Sequence, residues 1–177
     1  CNNDLLQAGN PTSTECATDH KMGRVIYARI RFLTAGTYAL RVTHDDQVQL
    51  DMSSSYGNLD FRNALYDIPV ARVASYTNDT SDAATAFSIG HDLGSYTASA
   101  NSCALIRVYW NNTGGINHLR LWWKRGNQTA ALMPGAQLYD PSVAPGAGEC
   151  TSTIASTTPS TSLTKNVASR APGDQFT

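Results

Sequence analysis

The sequence predicts an all-β protein, an antiparallel β-sandwich with extended N- and C-terminal arms. Three observations carry this. The composition is poor for helices: of 177 residues, 15% are charged, the acids are 12 Asp against 2 Glu, and 35 residues are Ser or Thr. Few Glu and Lys with much Thr, Tyr and Val favour strands over helices. The hydrophobic period in the middle of the chain is two, the mark of half-buried antiparallel strands. No capped amphipathic stretch exceeds about two helical turns.

Taken in order, residues 1–22 are polar and irregular and read as an N-terminal arm tethered by a disulfide. Residues 23–139 carry the regular structure. Ile26, Ala28, Ile30 and Phe32 alternate with Tyr27, Arg29 and Arg31. Tyr38, Leu40 and Val42 alternate with Ala39 and Arg41, and Ala35-Gly36-Thr37 between these runs reads as a hairpin turn. Val48, Leu50 and Met52 alternate with Gln47, Gln49 and Asp51. Ala104, Ile106, Val108 and Trp110 alternate with Leu105, Arg107 and Tyr109. Leu119, Leu121 and Trp123 alternate with His118, Arg120 and Trp122. On this pattern Trp110 and Trp123 face the core and Trp122 faces outward, while His91-Asp92 reads as a plain turn. Several short antiparallel strands at such spacing make a sandwich or barrel.

Residues 140–177 form a C-terminal arm, Pro/Gly-rich to residue 150 and then dominated by Ser and Thr. Strand addition to an open sheet edge is the physical means of holding such a segment, on its own domain or on a neighbouring subunit.

A net charge of −1 argues against a basic nucleic-acid surface. No run approaches the roughly 18–20 apolar residues of a membrane span. The start at Cys1 reads as that of a mature or trimmed chain. Cys1, Cys16, Cys103 and Cys150 include no CxxC pair and no clustered His, so disulfides are expected rather than zinc, in any of three pairings. An even cysteine count in such a chain implies an oxidising, extracellular setting. Three Asn-x-Ser/Thr sequons, at Asn78, Asn111 and Asn127, agree with it and fall in expected loops.

The chemistry-bearing stretch is Gly36-Thr37-Tyr38-Ala39-Leu40-Arg41-Val42-Thr43-His44-Asp45-Asp46-Gln47-Val48-Gln49-Leu50. Adjacent aspartates between two strands repel, and a hard cation such as Ca²⁺ is one reason to keep them together; a solvated turn is the other. The nucleophile elbow, P-loop and H-E-x-x-H patterns are absent. His44 beside Asp45 suggests a base–carboxylate pair, but no motif places a nucleophile.

A Gly-x-Tyr strand of alternating apolar residues ending in Asp-Asp and continuing as x-Val-x-Leu resembles the PA14 superfamily, which includes flocculin and GLEYA adhesins and carbohydrate-binding modules. Cys103-Ala104-Leu105-Ile106-Arg107-Val108-Tyr109-Trp110-Asn111 resembles its penultimate strand, with Thr113-Gly114-Gly115-Ile116 continuing the loop. Leu119-Arg120-Leu121-Trp122-Trp123 resembles its closing strand, and Met133-Pro134 with Leu138 its ending. The order fits over residues 23–139, while Gln47 stands where the family often has Gly or Ala. The resemblance implies a β-sandwich that binds Ca²⁺ through Asp45 and Asp46, across a cis peptide, with oxygens near Asn111 completing the shell. A glycan would bind the exposed metal, and Trp122 is the candidate sugar platform beside Asp45 and Asp46.

The expected function is therefore a non-enzymatic adhesion or glycan-binding module on a cell surface, dependent on calcium. One alternative is a structural subunit of an extracellular fibre, joined to identical neighbours by exchange of terminal arms. Another is a glycosidase or an accessory domain of a carbohydrate-active enzyme.

Overall fold

The computed structural model describes residues 22–45, 47–68, 70, 87–112 and 118–157, with the backbone alone at Met22, Asp45, Asn112 and His118. The described residues form ten strands: β1 Met22–Phe32, β2 Gly36–Asp45, β3 Gln47–Ser53, β4 His91–Ala98, β5 Ser102–Asn112, β6 His118–Arg125, β7 Ala131–Leu132, β8 Leu138–Tyr139, β9 Ser152–Thr153 and β10 Ala155–Ser156. They build two sheets. One runs β3-β5-β1-β8 with β9 added to β5; the other runs β10-β4-β2-β6-β7. All pairings are antiparallel except β5 with β9. The protein is an antiparallel β-sandwich.

The chain changes sheet at every connection from β1 to β6. This corrects the expected hairpin at Ala35-Gly36-Thr37: β1 pairs with β5 in one sheet, and β2 pairs with β4 and β6 in the other. Alternation identifies strands that have an apolar face, but it is blind to which strand lies beside which. Ile30, Phe32, Met52, Ala104 and Val108 from the first sheet meet Leu40, Val42, Leu93, Tyr96 and Leu121 from the second in one core. Burying such apolar faces on each other is the main stabilising term.

Two further corrections concern strands. His91-Asp92 opens β4 instead of forming a turn. Pairing between β2 and β4 shifts register at Leu40/Arg41, next to Gly94, which breaks the alternation that sequence reading relies on. The regular structure also continues past residue 139. β9 pairs with Ser102–Cys103, β10 pairs with Tyr96–Thr97, and Ile154 between them is 3% exposed in the core. Residues 151–157 thus pack on their own domain and bridge its two sheets, so the arm as far as Thr157 is not the exchanged strand that the fibre alternative needs. Cys103 and Cys150 form a disulfide just before this bridge. Cys1, Cys16 and the rest of both arms lie outside the described residues.

The loops are fixed by buried arginines. Arg29 is 2% exposed and donates to the carbonyls of Tyr56, Pro141 and Val143. Burial lowers its pKa, opposed by the charges of Asp140 and Glu149. Arg107 pairs with Asp51 at 2.8 Å and lies over the rings of Tyr66 and Tyr109. These contacts hold the 54–67 loop against the outer face of the first sheet.

Candidate functional site

The candidate site lies where β2 gives way to β3. Its foundation is hydrophobic periodicity: Tyr38, Leu40, Val42 and His44 all point inward along β2 and are buried. His44 is fully buried, with its ring centroid 4.9 Å from that of His91 at the start of β4. This packing makes His44 part of the floor under the strand end and takes it out of any role as an accessible base beside Asp45.

Asp45 is the last residue of β2 and pairs with His118 of β6. Two residues on, Gln47 opens β3 and lies opposite Asn111 of β5, and Gly23 of β1 flanks Asn111 on its other side. The two sheets therefore deliver Asp45 and Asn111 to the same end of the sandwich, on either side of the Asp45–Asp46 step. These residues stand 66 positions apart in sequence (111 minus 45), and the β3–β5 and β2–β6 pairings together bring them close. Asp46, with its peptide, and the loop after Asn112 lie outside the described residues. Asn111 is half-buried and belongs to β5, not to a loop as its sequon suggested.

Ca²⁺ takes carboxylate and amide oxygens, and Asp and Asn are residue types that carry them. His44 and His91 sit a layer deeper and are nitrogen donors, which suit softer metals. Among the described residues alone, no three His, Cys, Asp or Glu side chains group as a metal site.

Trp122 is not a sugar platform. It lies on the outward face of β6, as alternation indicates, but is only 7% exposed, and its indole N–H donates to Thr43 Oγ1 at 3.0 Å. Thr43 and Arg120 on the same face are buried too. Trp110 is 3% exposed in the core, and Trp123 packs against the core half-buried. Of the other sequons, Asn127 is exposed in the turn after β6, and Asn78 lies outside the described residues. No helix among the described residues is long and apolar enough to cross a membrane.

No protein-family model and no curated protein matches the chain. Among solved structures it is similar to the PA14 domain of the antifreeze protein MpAFP, with 21% identity, TM-score 0.44, and 66% of this chain and 51% of that one covered. It is similar to the epithelial adhesin 6 A domain from Candida glabrata in complex with Galβ1-3GlcNAc, with 14% identity, TM-score 0.48, and 68% and 51% covered. A PA14 sugar-binding domain from an RTX adhesin matches at 16% identity and TM-score 0.38, over 62% and 50%. The chain spans about half the length of each. By structure, then, the chain is similar to PA14 domains and adhesin A domains.

Proposed function

We propose that this chain is an extracellular, non-enzymatic adhesion module that binds glycans through a Ca²⁺ ion held by Asp45, Asp46 and Asn111. The observation that carries this reading is the convergence of Asp45 and Asn111, one from each sheet, around the Asp45–Asp46 step. Two adjacent carboxylates at a strand end repel unless a cation offsets them. A cation held at the end of a sandwich, with protein oxygens on one side, keeps coordination positions for the hydroxyls of a sugar. The Cys103–Cys150 disulfide suits an oxidising compartment and so an extracellular site of action. The sequence resemblance set out above adds its motif order to these points.

Asn111 has two roles open to it, as ligand and as sequon. In this reading it is unmodified, since a glycan joined to its Nδ2 would crowd the cation away from its Oδ1.

The test is binding to an array of oligosaccharides in calcium and in EDTA. The proposal expects binding that EDTA abolishes, that added calcium restores and that Asp46→Ala lacks, with the bound sugars recovered uncleaved. Binding indifferent to EDTA, or cleavage of the bound sugar, would overturn it.

A further inference from the structure

The fold treats the sequons at Asn111 and Asn127 differently. Asn111 belongs to β5, the strand between β3 and β1 in the first sheet, with Gln47 on one side and Gly23 on the other. It is half-buried, and Asn112 continues the same strand. A transferase has to grip the acceptor segment, and a strand paired on both edges offers it no free backbone. Asn127 stands in the turn that follows β6, and all three residues of its sequon, Asn127, Gln128 and Thr129, are exposed.

The turn is fixed from within. The Gly126 N–H donates to the Thr37 carbonyl at 2.9 Å, which ties the turn to the start of β2. The Gln128 N–H donates to the Arg125 carbonyl at 3.0 Å and closes it. Gly126 has a φ of 52°, in the left-handed region that favours glycine, and a Cβ added there would meet no heavy atom within 4 Å. Arg125 Nε donates to Gln128 Oε1 at 3.1 Å, so the middle side chain of the sequon folds back on the end of β6. None of these bonds uses the Asn127 side chain or the Thr129 hydroxyl, the two groups that N-glycosylation needs.

The setting agrees with the geometry. A sequon serves as an acceptor in a surface loop of a secreted chain, and the Cys103–Cys150 disulfide suits the oxidising compartment of a secretory route. Asp45 pairs with His118 at the other end of β6, so the turn lies about 24 Å along that strand from the candidate calcium site. A glycan at the turn leaves that site uncovered.

We propose that Asn127 carries an N-linked oligosaccharide and that Asn111 does not. The donor is a lipid-linked oligosaccharide diphosphate of the secretory pathway. Asn127 Nδ2 forms a bond to C1 of the donor's first N-acetylhexosamine, and the bond from C1 to the diphosphate oxygen breaks. The lipid diphosphate leaves with the bonding electron pair, and the amide gives up one proton.

The test is secretion of the chain from a host that performs N-glycosylation, followed by glycopeptide mapping with and without peptide N-glycosidase. The wild type is expected to lose one oligosaccharide from the peptide that holds Asn127, with aspartate left at that position, and to show the peptide that holds Asn111 unmodified. Asn127→Gln and Thr129→Ala should each remove the glycan, since one takes the acceptor amide and the other the sequon hydroxyl. Thr129→Ser keeps a hydroxyl and should keep the glycan. An unmodified Asn127 in the wild type, a glycan on Asn111, or a glycan that persists in Thr129→Ala would overturn the proposal. Should a variant not fold, the wild-type map still decides, because it reads Asn127 and Asn111 directly.

Discussion

At the end of the sandwich that carries Phe32 and Cys103, the sheets are tied together several times over. The Cys103–Cys150 disulfide, the Arg31–Glu149 pair at 2.5 Å, the β9–β10 bridge and the Phe32–Tyr38–Trp123 ring cluster all lie there. At the other end, β2, β3, β5 and β6 stop or turn over a packed floor that includes His44, and Asp45, Gln47 and Asn111 meet at the edge of that floor. The difference teaches a division of labour. Constraint concentrated at one end frees the other from carrying the stability of the sandwich. Binding groups on turns carried by a rigid scaffold follow the same logic.

The largest effect should come from cutting the tied end. Ending the chain at Cys150 removes β9, β10 and Ile154, and should lower stability by more than about 4 kcal/mol in urea denaturation, since core and sheet edges are lost together. A truncated chain as stable as the full one would break the comparison, and would return the arm to the exchange role considered from sequence. Next comes Cys103→Ser. The bond closes a separation of 47 residues, for which the chain-entropy account gives roughly 4 kcal/mol. Denaturation midpoints of the variant and of the wild type should differ accordingly, with binding at the Asp45 end retained wherever the variant is folded.

Trp122→Phe sharpens the comparison from the side of the second sheet. It removes the indole donor to Thr43 and some packing, for about 1–2 kcal/mol by thermal or chemical denaturation. Glycan affinity should not move. A loss of affinity without a loss of stability would restore Trp122 as a sugar platform.

The sequence carried much of the fold but in unequal parts. β1, β2, β3, β5 and β6 are long and alternate cleanly, so their residues announced them. β4 was hidden by Gly94 and the register shift beside it, and β9 and β10 are two residues each, too short for any period. Alternation placed Trp122 on the correct face but could not show that this face is covered, since coverage is set by segments distant in sequence. Arg29, Thr43 and Arg120 teach the same point, as outward positions that are nonetheless buried. For the candidate site, the Asp45-Asp46 pair was visible as an anomaly, and its neighbourhood with Asn111 followed only from pairing across two sheets.

The adhesive reading depends most directly on calcium at Asp45 and Asp46. Isothermal titration of Ca²⁺ into the purified, metal-stripped chain measures it, alongside the Asp46→Ala variant whose fold is checked by circular dichroism. A saturable heat with one site per chain is expected in the wild type and none in the variant. No heat with the wild type, or an undiminished heat in Asp46→Ala, would contradict it.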